Sequence, residues 1–569
     1  MARDMDGMGE AKARISKALC VGEETAIASR KEEVKKGLAK LGIPCDVDNI
    51  PTIAILAAGG AVRAMIALYG TLVELKKHNL LDCVMYLGGV SGSTWCISAL
   101  YKNEDWAEKI EALEKSHCEN LVQGQWEFQK AIKAVTEAVK DECYSLTDFW
   151  SYFLVHRLLN QFDETELSAH RGSCENGKNP YPIYAAVDKT TYEKQDAGTW
   201  FEFTPHEAGV PGLGAYVDMK HFGSVFENGQ LTEERKEKNI CYLQGLWGSA
   251  LGSKQELHRN IIGALQNFLK QDESGDSSAS TNSDQEDQKF NILSEGYQTV
   301  LEMHLYESTN EKAVEKHFDH LENILKSDRS SRSFKLLRDI HESWFSADAE
   351  TRKKDCMRLC QALDMDFGGF TSDSHRGLHL LLQKTYVCLL NWMWGSTNNF
   401  LYHCSDVEFP ELTNKPVVSL IDAGLAINTA YPPLLRSERQ VKLFLSFDFS
   451  AGDPFLTIKK AAEYCETRGI PFPKIDEREL QDIDNPMDCY IFRGDGEHVP
   501  TVMHCPLFNK VNCSDKIAEY REQFSTFKMS YSNEEIEKLL TAAKENVANV
   551  QLKILEEIKH VVGFPLQRA

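Results

Sequence analysis

A serine set among small residues, Ser91, has the surroundings of a nucleophile. Glycines stand two places before it and directly after it, at Gly89 and Gly92. The apolar run 83–87 predicts a buried strand before the serine, and the run 94–100 predicts a helix after it. A sharp turn from strand to helix lifts a hydroxyl out of a sheet, and small neighbours let a carbonyl approach it. The strict G-x-S-x-G pattern is not met, because Ser93 occupies the place of its last glycine.

A second strand, turn and helix are predicted upstream, around Gly59, Gly60 and Ala61. Free N–H groups at the start of a helix attract an anion, so this turn is a candidate oxyanion hole. Arg63, one turn into the helix, could bind a phosphate through its forked guanidinium. The alternative is a nucleotide phosphate loop, but neither G-x-x-x-x-G-K-[ST] nor G-x-G-x-x-G occurs in the chain.

A third buried strand is predicted over residues 416–421 and ends at Asp422, which Ala and Gly follow. The carboxyl ends of strands in α/β sheets carry groups that face ligands, although an Asp before Gly is also a common turn former. A serine, an acid and a later histidine in this order would also fit the triad of an α/β-hydrolase, with His498 or His504 as the third member. With seventeen histidines in the chain, that order carries little information.

The three segments together resemble the cytosolic phospholipase A2 family, most closely its gamma type. The resemblance spans about residues 25–555 and includes further matching segments at 144–150, 199–206, 246–252 and 445–454. It implies an α/β fold, a three-layer α/β/α patatin-like catalytic fold with helical insertions.

The resemblance also implies a mechanism, a Ser–Asp dyad in place of a triad. Ser91 would attack the ester carbonyl and form an acyl-enzyme, and Asp422 would act as the base. Gly60 and Ala61, with Gly59, would hold the oxyanion. The phosphate of the head group would lie at Arg63, and Gly89 and Gly92 would shape the nucleophile elbow. Where the family has a third glycine this chain has Ala61, and a left-handed conformation there would cost about 1 kcal/mol.

The expected function is a calcium-independent phospholipase A2 and lysophospholipase that hydrolyses the fatty acyl ester of glycerophospholipids. Two alternatives remain open at this stage. The acyl group could pass to another lipid, as in a transacylase, or the chain could be a lipid-binding homologue without catalysis. No cofactor and no metal site is expected, since no zinc spacing or EF-hand loop occurs.

The composition limits which binding partners and which cellular location are expected. The net charge of −22 argues against nucleic acid, and the sixteen scattered cysteines, without a Cys-x-x-Cys pair, favour a reducing compartment. No apolar stretch approaches the roughly 20 residues of a membrane span. We therefore expect a cytoplasmic protein that meets a phospholipid membrane surface peripherally. We expect neither a calcium-dependent lipid-binding domain nor a prenyl or myristoyl anchor.

The domain organisation is predicted from composition and periodicity. Residues 1–50 form an N-terminal helical segment, 51–555 the catalytic domain and 556–569 a tail. Within the catalytic domain, the acidic, serine-rich run 271–288 is expected to be a disordered linker and 290–363 a helical insertion.

Several single residues have two interpretations each. Trp247, Trp392 and Trp394 could line an acyl pocket, but aromatic residues in apolar segments more often belong to the core. Asn428 could support the loop that follows Asp422.

Overall fold

The computed structural model describes residues 11–194, 199–249, 259, 261–263, 283–306, 312–526, 528 and 530–563. The chain divides into two compact units. The sheet unit comprises Met1–Glu127, Val155–Leu251 and Thr397–Ala569, and the helical unit comprises Phe128–Leu154 and Gly252–Ser396.

The described strands are β1 Arg14–Ile15, β2 Thr52–Ala57, β3 Tyr86–Gly89, β4 Tyr181–Asp188, β5 Trp200–Phe203, β6 Glu207–Val210, β7 Ala215–Asp218, β8 Val225–Glu227, β9 Gln230–Glu233, β10 Ser396–Asn398, β11 Val417–Asp422, β12 Val441–Asp448, β13 Tyr490–Phe492 and β14 Thr501–Pro506.

The described helices of eight residues or more are α1 Val21–Lys40, α2 Ala61–Lys77, α3 Gly92–Leu100, α4 Ile110–Gln123, α5 Phe128–Ala138, α6 Ile240–Trp247, α7 Ser283–His304, α8 Glu315–Leu325, α9 Arg332–Ser343, α10 Ala349–Phe367, α11 Asp373–Asn391, α12 Leu456–Arg468 and α13 Asn533–Val562. Shorter helical turns lie at Leu146–Phe149, Trp150–Val155, His156–Leu159, Gly172–Glu175, Lys189–Glu193, Pro410–Thr413, Tyr431–Leu434, Lys510–Cys513 and Ile517–Gln523.

A mixed sheet with helices on both sides forms the core of the sheet unit. Its strands follow the order β1-β7-β6-β5-β4-β3-β2-β12-β14-β13, and β11 pairs with β4 beside this path. The middle of the sheet, from β4 through β3, β2 and β12 to β14, is parallel. Strands buried on both faces read as continuous apolar runs, and in β2 every residue after Thr52 is buried.

The order of these strands determines which turns of the chain lie next to each other. After β2 and after β3 the chain turns directly into α2 and α3. The carboxyl ends of parallel strands lie along the same edge of a sheet. Because β2 and β3 are adjacent and parallel, the turns that follow them are neighbours. Helix α2 packs against α3 and against the long helix α13, and these contacts hold the two turns in position.

The N-terminal segment contains helix α1, as predicted, and also a short strand. Val34 and Leu38 of α1 are buried, and its Glu23 carboxylate receives two bonds from the Arg439 guanidinium, of 2.8 and 3.0 Å. Strand β1 pairs with β7 at the edge of the sheet. Two residues are too few for a periodic pattern, so the sequence did not indicate this strand.

The helical unit is built from α5 and α7–α11, with α7 packed against α8, α10 and α11. Helices of this unit continue to Asn391, beyond the segment 290–363 predicted as the insertion. Most of the predicted linker, residues 271–282, lies outside the described residues. Its last part, residues 283–288, belongs to α7 instead of a disordered segment, because this acidic run leads directly into the apolar pattern of that helix.

Candidate active site

Ser91 occupies the turn between β3 and α3 in a strained backbone conformation. Its φ of +54° and ψ of −128° are sparsely populated by residues other than glycine and cost about 1–3 kcal/mol. The turn is held by the Ser93 N–H on the Val90 carbonyl, at 3.2 Å, and by the Thr94 N–H on the Ser91 carbonyl, at 2.9 Å. Strain of this kind persists only where the surroundings impose it, so the serine is held in place.

The two glycines beside Ser91 make room for close backbone contacts. A Cβ at Gly92 would lie 1.9 Å from the carbonyl oxygen of Ala61, and one at Gly89 would lie 2.6 Å from Ile97. The first contact is with backbone, which cannot swing away as a side chain can. Gly92 is therefore what lets the turn after β3 lie against the turn after β2.

The turn after β2 presents backbone N–H groups beside this serine. Gly60 has a φ of +147° and Ala61 a φ of +52°, so the alanine adopts the costly left-handed conformation considered from the sequence. Because Gly60 caps α2 and Ala61 begins it, their N–H groups have no acceptor within the helix. In contrast, the N–H of Gly59 already donates to Asn428, at 3.2 Å to both its carbonyl and its side-chain oxygen.

Asp422 lies at the carboxyl end of β11 and is completely buried. One carboxylate oxygen, Oδ1, accepts the N–H of Gly424 at 2.7 Å, and the Asp422 N–H donates to the Ser249 hydroxyl at 3.1 Å. The short 3₁₀ turn Ala423–Leu425 that follows begins at this aspartate. The side chain is thus oriented by the backbone of its own turn.

Strand β4 brings the serine and the aspartate together. Residues 184–187 of β4 pair with β5 along one side of the strand. Because β3 and β11 also pair with residues in this part of β4, both must lie along its other side. The parallel β3 ends opposite Tyr184, and the antiparallel β11 ends opposite Ala186. The two strands therefore point toward each other, and their carboxyl ends meet two residues apart along β4.

A cavity of about 300 Å³ opens at this meeting point. Its wall includes Ser91, Asp422, Gly59, Gly60 and Arg63, so all three segments singled out in the sequence contribute. The rest of the wall is formed by Gly424, Leu425, Asn428, Ser450, Ala451, Gly452, Asp453, Leu456, Thr457, Lys460 and Thr526.

Asn428 connects two sides of the cavity. Its amide nitrogen donates to the Gly59 carbonyl at 3.3 Å and to the Ser450 hydroxyl at 3.4 Å. Ser450 in turn donates to the buried carboxyl of Asp448, whose pKa is raised by burial. The chain after β12 is thereby fixed against the turn after β2.

Arg63 is buried in the wall, with 1% of its surface exposed. Its Nε donates to the Phe449 carbonyl at 2.7 Å, Nη1 to the Phe524 carbonyl at 2.5 Å and Nη2 to the Thr526 hydroxyl at 3.2 Å. Burial lowers its pKa to about 10. All three nitrogens therefore already bind the protein, and the guanidinium holds two distant loops together.

The two histidines considered for a triad lie elsewhere in the sheet unit. His504 is completely buried in β14, where Nε2 lies 2.7 Å from the Pro454 carbonyl, and burial lowers its pKa. His498 lines a separate cavity with Leu434 and Lys442. Among the described residues, those that line the Ser91 cavity include no histidine.

The tryptophans singled out in the sequence do not line the cavity either. Trp247 is fully buried and stacks on Tyr184 with ring centroids 4.3 Å apart. Trp392 and Trp394 pack against each other in the helical unit, at 5.5 Å. Trp247 and Trp394 therefore fit the core interpretation, whereas Trp392 is only half-buried.

The described residues include neither a cluster of metal-binding side chains nor a membrane-spanning helix. No group of three His, Cys, Asp or Glu side chains there could hold a metal ion. Among the described helices, none is long and apolar enough to cross a membrane.

Known proteins match this chain over nearly its whole length. A family profile described as the lysophospholipase catalytic domain matches residues 53–268. Cytosolic phospholipase A2 gamma of Mus musculus is 36% identical over 558 residues, which are 95% of this chain and 91% of that protein. The protein of the same description from Homo sapiens is 36% identical over 564 residues, 98% of both chains. The chain belongs to the cytosolic phospholipase A2 family. It is a phospholipase A2 enzyme, as the sequence motifs indicated.

The fold agrees with solved structures of this family. Human GIVD cytosolic phospholipase A2 superposes with a TM-score of 0.66 at 23% identity, over 98% of this chain and 69% of that one. The same protein in complex with methyl γ-linolenyl fluorophosphonate gives a TM-score of 0.63. The expected α/β class is confirmed.

Proposed function

We propose that Ser91 and Asp422 form a catalytic dyad that hydrolyses the fatty acyl ester of glycerophospholipids and lysophospholipids. The observation that carries this proposal is the convergence of β3 and β11 on one edge of β4, which puts both side chains in the wall of one cavity. The buried aspartate and the strained serine are the acid–base group and the nucleophile that such a reaction needs.

In the first half of the proposed reaction, the Asp422 carboxylate takes the proton of the Ser91 hydroxyl while Oγ bonds to the ester carbonyl carbon. The negative charge that develops on the carbonyl oxygen is stabilised by the N–H groups of Gly60 and Ala61. Collapse of this intermediate breaks the ester bond. The departing alcohol, a lysophospholipid or glycerophosphodiester, takes the proton back from Asp422.

In the second half, Asp422 takes a proton from water, whose oxygen attacks the acyl-serine. The fatty acid leaves and the Ser91 hydroxyl is restored. Asp422 returns this proton to Ser91 Oγ as the acyl–oxygen bond breaks, so every proton passes through one carboxylate, and each negative charge is stabilised by backbone N–H groups. We therefore expect the reaction to proceed without calcium.

Membrane contact is proposed at the mouth of the cavity. Leu425 and Leu456 line it, yet 39% and 50% of their surfaces are exposed. Exposed leucines at the entrance to a lipid site fit contact with acyl chains of a phospholipid surface. With a net charge of −22, such apolar contact is a better source of attraction than the charge of the whole chain. We accordingly propose a cytoplasmic enzyme that binds membranes peripherally.

The test is release of labelled fatty acid from phosphatidylcholine vesicles with calcium chelated, together with labelling by a fluorophosphonate. The reagent should bond to Ser91 Oγ with loss of fluoride. Wild type and His504→Ala should release fatty acid and become labelled, and Ser91→Ala should do neither. A Ser91→Ala variant that keeps its activity would overturn the dyad, and loss of activity in a folded His504→Ala variant would favour a triad. Labelled acyl lipid in place of free fatty acid would indicate transfer.

A further inference from the structure

The cavity at Ser91 contains two cations, and they differ in what they bind. Arg63 donates through all three of its nitrogens to backbone carbonyls and to Thr526. Lys460 lies in the wall on α12 and makes no hydrogen bond or ion pair with any residue that the structure describes. An ammonium group with three donors and no protein acceptor, beside the reacting groups, is available to a ligand.

We propose that Lys460 binds the phosphate of the substrate head group. The inference rests on the proposed function and adds a second cation to the assignment made from the sequence, which gave that phosphate to Arg63. A lysine is suited to this task because its compact charge on a flexible stem binds phosphate without a fixed geometry. Arg63 also holds the chain around Phe449 and Phe524 through three of its five N–H groups, which positions the wall.

The position of Lys460 suits a head group that enters from outside. Arg63 is buried, whereas Lys460 is half-exposed and stands near the exposed Leu456 at the start of the same helix. Helix α12 also begins at the cavity, so the positive end of its dipole raises the electrostatic potential there and favours an anion. The acyl ester can then lie at Ser91 while the phosphate remains near the mouth.

The other charges of the wall are already accounted for. Asp453 Oδ1 accepts the Phe455 N–H at 2.8 Å and forms no ion pair with Lys460. Asp422 is oriented by Gly424. The Lys460 charge is therefore balanced neither by Asp453 nor by Asp422, and a phosphate would supply the missing counter-charge.

The test compares two esters with the same acyl chain in the same neutral detergent micelles: lysophosphatidylcholine, which has a phosphate, and monoacylglycerol, which has none. Lys460→Ala should raise KM for lysophosphatidylcholine about tenfold with little change in kcat, and should leave monoacylglycerol hydrolysis unchanged. Lys460→Arg should restore KM to within about threefold, since it keeps the charge. The matched control is Lys459→Ala. This neighbouring lysine is not part of the cavity wall, and its ammonium lies 6.0 Å from the centre of the Phe455 ring.

Equal losses on both esters in Lys460→Ala would indicate a merely structural role, and no change on either would also overturn the proposal. A second readout does not depend on catalysis. Binding of a non-hydrolysable ether analogue of lysophosphatidylcholine to Ser91→Ala should weaken about tenfold when Lys460→Ala is added. If wild type hydrolysed neither ester, the proposed function would fail, while this binding measurement would still decide the role of Lys460.

Discussion

The helical unit contains a cavity that is larger than the one at Ser91 in the sheet unit, where we propose the chemistry. The helical unit has a cavity of about 570 Å³, against about 300 Å³ at Ser91. Its wall is made of side chains from helices, among them Tyr297, Cys360, Tyr386 and Cys388. The Ser91 cavity is instead built where strand ends and glycine turns converge.

The difference lies in what the backbone can contribute. Within a helix the N–H groups are paired, so a wall of helix interiors has no free backbone donors for an oxyanion. Burial also raises the pKa of the Cys388 thiol to about 12 and that of Cys360 further, which keeps both thiols protonated at neutral pH. At Ser91, two helices begin and three strands end, so backbone N–H groups, a hydroxyl and a carboxylate line one cavity. These groups, and not its volume, distinguish the proposed site.

The largest effect expected from this comparison concerns one aspartate in each cavity. Asp422→Asn should lower fatty acid release by about 10³-fold or more, since an amide cannot take the serine proton. Asp364→Asn, in the wall of the helical cavity, should keep the wild-type rate although it loses the contact of Asp364 with His379 at 2.5 Å. Initial rates on phosphatidylcholine vesicles, with circular dichroism to verify folding, measure both. A wild-type rate in Asp422→Asn would contradict the proposed dyad.

A smaller effect concerns one glycine in each unit. Gly92→Ala places a Cβ 1.9 Å from the Ala61 carbonyl, so the turns after β2 and β3 must separate. A shift of about 1 Å at a reacting centre costs about 10²-fold in rate, which is the loss expected here. Gly377→Ala in α11 meets nothing within 4 Å and should stabilise the helix by about 0.5–1 kcal/mol without changing the rate.

Rates and thermal unfolding of the two glycine variants provide the measurement. If Gly92→Ala were as active as wild type, the contact between the two turns would not position the nucleophile. If Gly377→Ala lowered the rate, the helical unit would have a part in catalysis that its cavity does not suggest.

The sequence allowed two strand–turn–helix segments and the strand that ends at Asp422 to be predicted, because each combines a continuous apolar run with glycines where the turn needs them. It also led to the correct family and fold class. It gave no indication of Lys460, because a lysine in an amphipathic helix is normally a solvated residue and nothing local marks this one as lining the Ser91 cavity. The hydrogen bonds of Arg63 were equally hidden, since its acceptor at Phe524 lies 461 residues further along the chain. Such relations arise from tertiary structure alone.

The smallest effect expected is a difference in acid sensitivity between the units. In the sheet unit, His170 is 3% exposed, its ring nitrogens have no hydrogen-bond partner among the described residues, and burial lowers its pKa from 6.5 to about 4 despite nearby Asp163. The folded state thus keeps His170 neutral where the unfolded chain takes up a proton. The neutral His170 therefore contributes fully to the free energy of unfolding above pH 6.5. This contribution decreases by about 1–3 kcal/mol as the pH falls toward 4.

His341 in the helical unit differs, because it is more exposed and its Nε2 lies 2.7 Å from a Glu315 carboxylate oxygen. Hydrogen exchange at pH 7, 6 and 5 in mild denaturant, followed separately in peptides of each unit, measures the contrast. His170→Phe should flatten the pH dependence of the sheet unit, because the phenyl ring cannot take up a proton in either state. His341→Phe should leave the sheet unit as acid-sensitive as wild type. An unchanged slope in His170→Phe would show that another buried group, such as His504, dominates the acid response.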